Sequence, residues 1–384
     1  MTPLESLIHP LTIDAFRREV WGQRARHLPG GATRHAGLFG WEALDRLLNA
    51  APAPHPALRL YRGEAGFVAA SSASEVIAHL RSGAGLILND ADRYDPALAG
   101  LVDALEAELD ETARVNVYAS QPGEAGFPLH ADTHDVFALQ IAGQKRWRVT
   151  GPTMPDPLFH ASLPPQPPAD PTPYLEQTLS PGDVLYVPRG HRHEAVAVDG
   201  PSLHLTLAVF FTTGVDLLYH LVDALHQSPA FRKAFPLHSG PFCREGEPPA
   251  PQRAHLAHLR AAMDAILSDP GLLPGLRDAR LGARQPRRPF ALSAHAQAAV
   301  PAGASLTCAV KAVRMRAGEG FFDVLIPGRR LRFPPPAAPL LRWIFAAEEI
   351  SAAALRAAVP GASPELIGEV LTGLVAEGVL HRAG

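Results

Sequence analysis

Histidine and aspartate residues with the spacing of a metal site stand in the middle of the chain. His130 and Asp132 are two residues apart after a Gly/Pro-rich turn, so on an extended strand both side chains leave the same face. Further along, a predicted strand from Val184 to Val187 leads through a Pro/Gly turn to His191 and His193. Two imidazoles and one carboxylate on one face of a divalent ion leave the opposite face open, an arrangement that suits non-haem Fe(II) oxygenases. The spacing therefore predicts such a metal site.

Spacing alone does not choose every ligand of this site. His130, Asp132 and His134 share one parity on an extended chain, and so do His191 and His193. A chain with 18 histidines contains HxD pairs by chance, and an isolated pair is more often a surface turn than a metal site. The surrounding strands and Gly/Pro turns favour the metal site, but they leave the identity of the ligands open.

Length and composition indicate an ordinary globular protein of more than one domain. The chain has 384 residues, 47% of them hydrophobic and 19% charged, so two or three domains are expected. A formal net charge of -3 excludes a global basic field for nucleic acid. Two cysteines, Cys243 and Cys308, suggest no disulfide framework and fit a reducing cytoplasm. We find neither a signal peptide nor a membrane span, and we expect a cytoplasmic protein.

Hydrophobic periodicity places helices before a strand-rich region. Amphipathic helices are predicted at Ile13–Val20, Trp41–Leu48 and Pro96–Leu109. Short apolar or alternating strands follow at Arg114–Tyr118, Val136–Ile141, Lys145–Val149, Val184–Val187, Ala195–Val198 and Leu203–Phe211. Gly143 and Gln144 are predicted to join two of them as a tight hairpin. So many short strands indicate a closed or sandwiched antiparallel sheet.

Beyond the strands the pattern returns to helix. Helices predicted at Val215–His226 and Gln252–Leu267 are apolar on one face and could form a dimer interface. The C-terminal part combines strands at Ser305–Met315 and Phe321–Phe333 with three helices, at Pro339–Ala346, Ser351–Ala358 and Pro364–Glu377. Such a unit is similar to a winged helix. Because it is only mildly basic, we favour a protein-interaction or structural unit over direct nucleic-acid binding.

Several motifs recur in an order typical of one enzyme family. They are NVY at 116–118, HxD at 130–132, DVFALQIAGQKRWRV at 135–149, GDVLYVPRGHRHEA at 182–195 and SLHLTLAV from 202. This stretch resembles the JmjC-type cupin hydroxylases, in particular the ribosomal oxygenases. The resemblance implies an α+β fold with a double-stranded β-helix (cupin or jelly-roll) core. It further implies a JmjC/cupin catalytic domain with N-terminal helices at 1–214, a helical dimerisation segment at 215–290 and a winged-helix-like domain at 291–384.

The resemblance also assigns roles to individual residues. It makes His130, Asp132 and His193 the Fe(II) ligands and the catalytic centre, with His191 as a neighbour. Lys145 matches the family's cation for the far carboxylate of 2-oxoglutarate. The remaining co-substrate positions are Asn116, a hydrogen-bond donor, Tyr118, which lines the cavity, and His204 and Thr206, which face the pocket.

The implied activity is hydroxylation of a protein or peptide side chain with dioxygen and 2-oxoglutarate, releasing succinate and carbon dioxide. A ribosomal protein is the leading substrate, with arginine or histidine as the target, and the enzyme is expected to be a homodimer. Two alternatives stay open: the same chemistry on a peptide natural product or small molecule, and a non-catalytic metal-binding cupin adaptor. Lys145 and Asn116 favour an enzyme, because a non-catalytic cupin has no use for a carboxylate clamp. Thr133 stands where the resembled family often has an acidic residue, directly after the HxD aspartate. This difference leaves the substrate more open than the metal.

Overall fold

The computed structural model describes residues 1–50, 54–122, 128–152, 154–158, 170, 172–236, 250–287, 300 and 303–382. Cys243 lies outside these ranges. The chain divides into two compact units. The first unit consists of Met1–Phe211 with short later segments that include Arg287 and Ala309–Ala312. Most of the second unit is formed by Thr212–Pro286 and Val313–Gly384. Within the described ranges, no helix is both long enough and apolar enough to cross a membrane.

The first unit combines short helices with twelve antiparallel strands. Its α-helices are α1 (Pro3–Ile8), α2 (Ile13–Glu19), α3 (Trp41–Ala50), α4 (Ala73–Arg81) and α5 (Pro96–Leu109). Its strands are β1 (Arg26–Leu28), β2 (Leu58–Arg62), β3 (Gly66–Val68), β4 (Gly85–Leu88), β5 (Thr112–Ser120), β6 (His130–Ala131), β7 (Asp135–Ala142), β8 (Lys145–Pro152), β9 (Leu175–Leu179), β10 (Val184–Val187), β11 (His191–Ala197) and β12 (Ser202–Phe210).

Helix α5 begins and packs as its sequence predicts. The side chain of Asp95 accepts hydrogen bonds from the backbone N–H groups of Ala97 and Leu98, and Pro96 occupies the first turn. These are the preferred residues for a helix start. Leu98, Val102 and Leu105, at helical spacing, are fully buried in the large core.

Two antiparallel sheets face each other around the centre of this unit. The larger sheet has the strand order β1-β10-β7-β12-β5-β4-β2-β3, and the smaller has the order β6-β11-β8-β9. Central strands of the larger sheet are buried on both faces, since alternate residues of β7 and β10 join two different core clusters. One cluster packs against the N-terminal helices and the other lies between the sheets. This confirms the α+β class with a cupin-like antiparallel core.

The link at Gly143 and Gln144 is not a hairpin, so that prediction is wrong. β7 lies between β10 and β12, with both edges hydrogen-bonded, while β8 pairs with β9 and β11 in the other sheet. The chain therefore changes sheets at this corner. Gly143 has a φ of 65°, and a Cβ there would lie 2.2 Å from the carbonyl oxygen of Pro201, so only glycine fits without strain.

The second unit contains the remaining helices and two small sheets. Its α-helices are α6 (Gly214–Gln227), α7 (Pro229–Arg232), α8 (Ala250–Leu267), α9 (Leu272–Ala283), α10 (Ala338–Ile344), α11 (Ala352–Ala358) and α12 (Pro364–Ala376). Its strands are β13 (Leu306–Cys308), β14 (Arg314–Gly318), β15 (Phe321–Ile326), β16 (Arg329–Phe333) and β17 (Leu380–Arg382). The single strand predicted at Ser305–Met315 is in fact two, because β13 pairs with β17 whereas β14 pairs with β15.

Candidate metal centre

Three predicted ligands converge at one end of the space between the sheets. His130 and His193 are directly opposite each other, because β6 pairs antiparallel with β11. Asp132 lies beside them, with one carboxylate oxygen 3.4 Å from His193 Nε2 and the other 4.0 Å from His130 Nε2. One ligand atom from each residue lies within 4.8 Å of the other two. Such spacing allows the three residues to bind one ion, and the donor set fits Fe(II).

Backbone carbonyls hold both imidazoles in the orientation that a metal needs. His130 Nδ1 donates to the carbonyl of Pro128 at 2.9 Å, and His193 Nδ1 donates to the carbonyl of His191 at 3.2 Å. Each ring therefore presents an unprotonated Nε2, the usual arrangement around metal-binding histidines. Burial, with a smaller contribution from His130, lowers the pKa of His193 to about 4, so this ring stays neutral and able to bind a cation.

A break in the pairing of β11 separates the two histidines that sequence parity could not distinguish. The register between β11 and β8 shifts between His191 and His193. His191 Nδ1 instead meets the hydroxyl of Tyr174 at 2.8 Å, and that hydroxyl accepts the N–H of Ala25. His134 packs its ring against Phe210 with 4.8 Å between ring centroids. Neither belongs to the described group of three ligands.

Lys145 enters the same cavity from the first position of β8. Its side chain is buried, with only 3% of the residue exposed. Its Nζ donates to Ser120 Oγ at 2.9 Å and lies 3.3 Å from His204 Nδ1. Among the described residues no carboxylate lies within salt-bridge distance of this ammonium. Burial lowers the pKa of Lys145 to about 7.

The other predicted co-substrate residues occupy different positions relative to the cavity. Tyr118, His204 and Thr206 line it together with Lys145 and the three ligands. The rings of Tyr118 and His204 stack at 4.9 Å, and burial raises the pKa of Tyr118 to about 12. Asn116 is not among the cavity-lining residues: its Oδ1 accepts the N–H of Asp90 at 2.9 Å, and its side chain also hydrogen-bonds Tyr118.

Sequence reasoning missed several residues of the cavity wall, and two of them lie beside predicted site residues. Ser120 follows Asn116 and Tyr118 at the same parity on β5, so the alternation of that strand could have revealed it. The second of these residues, Trp147, is the third residue of β8. It packs between the sheets and also lines the cavity, with its ring 5.9 Å from that of His193 and 5.4 Å from that of His204.

Comparison with known proteins agrees with this architecture. The sequence profile described as the JmjC domain matches residues 88–217, the range that holds all three predicted ligands and Lys145. Residues 88–217 are a JmjC domain. Ribosomal oxygenase 1 of Bos taurus is 30% identical over 252 residues, covering 60% of this chain and 37% of the bovine protein. The bifunctional lysine-specific demethylase and histidyl-hydroxylase NO66 of Drosophila willistoni is 32% identical over 155 residues, covering 38% of this chain and 20% of its own length.

This chain therefore spans well under half the length of these curated relatives of its JmjC domain. A solved structure covers much more of it. YcfD, a ribosomal oxygenase from Escherichia coli in complex with cobalt and 2-oxoglutarate, aligns over 98% of this chain and 99% of its own. The TM-score is 0.64 at 18% sequence identity, so the likeness shows a shared fold around the JmjC domain and beyond it.

Proposed function

We propose that the protein is an Fe(II)- and 2-oxoglutarate-dependent hydroxylase of a protein or peptide side chain. The observation that carries the proposal is a two-histidine, one-carboxylate group sharing a cavity with a buried lysine that no described carboxylate pairs. Three protein ligands leave positions open on the ion, and a buried ammonium fits the far carboxylate of a keto-acid. A cupin that only stores a metal has no use for that second cation.

The protein's part in the reaction would be to bind and orient the iron and the co-substrate and to exclude water from the site. His130, Asp132 and His193 would hold the iron, and Lys145 would hold the co-substrate's far carboxylate. Iron and 2-oxoglutarate supply the oxidative chemistry that consumes dioxygen, releases succinate and carbon dioxide, and hydroxylates a C–H bond. Asn116 would contribute by orienting Tyr118, which its side chain hydrogen-bonds at the cavity wall.

A ribosomal protein is the substrate we favour, modified on arginine or histidine. The support comes from the relatives, which are named as ribosomal oxygenases and, for the Drosophila willistoni protein, as a histidyl-hydroxylase. Hydroxylation of a peptide natural product or small molecule is the second candidate. It uses the same metal group, so the substrate alone separates the two.

Two histidines on one strand provide a matched test of the metal assignment. In anaerobically purified protein, His193→Ala should lose Fe(II) binding, measured by equilibrium dialysis, and succinate formation from 2-oxoglutarate in air. His191→Ala should keep both, because only the backbone carbonyl of His191 touches the site. Total ribosomal proteins, added as substrate, should raise succinate formation and gain one oxygen atom by mass spectrometry. Undiminished metal affinity in His193→Ala would refute the ligand assignment.

We also infer that α6 carries a homodimer interface. Its exposed apolar residues Val215, Leu218, Tyr219 and Val222 fall at helical spacing on one stripe. An apolar stripe of this kind is expected to pack against another surface. Sedimentation should give twice the chain mass, and Leu218→Glu should give monomers. A monomeric wild-type protein would count against the interface.

We further propose that the chain divides into domains at 1–214, 215–290 and 291–384. The last of these is a winged-helix-like C-terminal unit, and the protein is cytoplasmic. We do not expect the C-terminal unit to bind nucleic acid directly. Several of its arginines are paired: Arg332 with Asp323 and Arg329 with Glu377 inside the unit, and Arg316 with Asp278 of the preceding segment. Paired guanidinium groups present little free positive charge to a phosphate backbone.

A further inference from the structure

Lys145 is buried in an environment that is unfavourable for a positive charge. The ammonium group lies in the space between the sheets, and its hydrogen-bonding neighbours among the described residues, Ser120 and His204, are neutral. A charged amine that is fully buried without a counter-ion is strongly disfavoured relative to the neutral amine. Asp132 is the one carboxylate among the described residues that line the cavity, and it faces the two histidines instead.

We propose that a substantial fraction of Lys145 is the neutral amine at neutral pH in the ligand-free protein, and that this fraction takes up a proton from solvent when a carboxylate enters the site. The inference rests on the proposed function, since the carboxylate is the far end of 2-oxoglutarate. The balance is simple: one amine, one proton and one carboxylate dianion form an ammonium–carboxylate pair, and no covalent bond changes. Binding of the co-substrate is thus coupled to proton uptake.

Several titratable groups lie around Lys145 on the strands that form the cavity. On β5, Tyr118 has a pKa raised to about 12 by burial, so it stays protonated near neutral pH. On β12, burial and then Lys145 itself hold the pKa of His204 well below its usual value, so His204 stays neutral and its Nδ1 is an acceptor. His193 on β11 and the nearby His130 are occupied once a metal is bound. Lys145 is therefore the group that changes charge in this range.

The direction of the pH effect follows from linkage. The complex binds one more proton than the free protein whenever the free amine is neutral, so the affinity for the carboxylate falls as pH rises. With a pKa of about 7 in the free protein, the dissociation constant for 2-oxoglutarate should rise about tenfold between about pH 6 and about pH 8. Proton uptake per ligand should approach about 0.9 at the higher pH and about 0.1 at the lower.

Isothermal titration of the Mn(II)-loaded full chain with 2-oxoglutarate measures both quantities directly. Titrations at one pH in two buffers with different ionisation enthalpies give the number of protons taken up. Lys145→Arg is the matched variant, because a guanidinium keeps its charge throughout this range. It should bind with no proton uptake and a flat pH profile.

The outcomes separate the two proposals. Wild-type binding with proton uptake near zero at both pH values, and an affinity unchanged between them, would overturn the inference and leave the hydroxylase proposal standing. Equal uptake in wild type and Lys145→Arg would also overturn it, since the proton would then go elsewhere. A protein that binds no 2-oxoglutarate at any pH would overturn the proposed function together with the inference. The wild-type proton count stands on its own if the arginine variant does not fold.

Discussion

Replacement of Arg287 by methionine should strongly destabilise the first unit. The guanidinium group is 8% exposed and bonds Asp92 at 2.7 Å, Asp103 at 2.7 Å and Glu106 at 3.0 Å. Its ion pairs with Glu106 and Asp92 outweigh the opposing effect of burial and raise the pKa of Arg287. Asp92 and Glu106 are each only 2% exposed, so they would be left buried without a counter-charge.

The loss should be about 3–5 kcal/mol, the typical cost of removing one partner from a buried ion pair. Arg330→Met is the matched control, because Arg330 is 61% exposed on its side chain and lies 4.0 Å from its partner Asp323. An exposed pair of this kind contributes about 0–1 kcal/mol. Urea unfolding, followed by circular dichroism, measures both changes.

The deficit of Arg287→Met should also depend on pH. An unpaired buried acid binds a proton more readily in the folded chain than in the unfolded chain, so the variant regains stability relative to wild type as the solution becomes acidic. The difference should be largest near about pH 7 and smaller near about pH 5. An unfolding midpoint equal to that of wild type, or a deficit that grows in acid, would refute this account. The cluster matters for the site because Glu106 and Asp92 also accept backbone N–H groups at the start of β5.

Three further substitutions test features of the fold by thermal unfolding. Gly143→Ala should cost about 2 kcal/mol or more, because it puts a side chain at positive φ against a backbone oxygen. Gly151→Ala, on the β8 strand that follows this corner, meets no atom within 4 Å and should be nearly neutral. Equal effects of the two would contradict the sheet-changing corner. Tyr174→Phe should cost about 1–3 kcal/mol by leaving the buried N–H of Ala25 unpaired, and no loss would mean that this bond is immaterial. Ser363→Ala should cost about 1 kcal/mol through the lost N-cap of α12, and an unchanged midpoint would argue against that cap.

Local sequence signals predicted several of the helices. Pro96–Leu109 was predicted with the bounds that the structure shows, since its apolar periodicity is complete within the segment. The helix predicted at Pro364–Glu377 is likewise confirmed as α12, and Ser363 caps its start by accepting the N–H of Leu366. Short strands gave no such signal: β1 has three residues and β6 has two, too few for alternation to appear.

Pairing between distant strands was beyond the reach of local patterns. The hairpin predicted at Gly143 failed because both edges of β7 are occupied by strands far away in the sequence, which no two-residue turn signal reports. The choice between His191 and His193 depended on a register shift within β11, which removes the strict two-residue repeat. Ligand roles for His193 and its partners remain predictions, although their atoms lie together as the spacing suggested.

The metal centre should also affect the stability of strand β6. It is a two-residue edge strand, and among the described strands it pairs with β11 alone. An edge of this length has little stability of its own and should exchange its amide hydrogens rapidly. An ion bound by His130, Asp132 and His193 would link the edge strand β6 to the interior strand β11. Metal binding and stable pairing of β6 with β11 would therefore be cooperative.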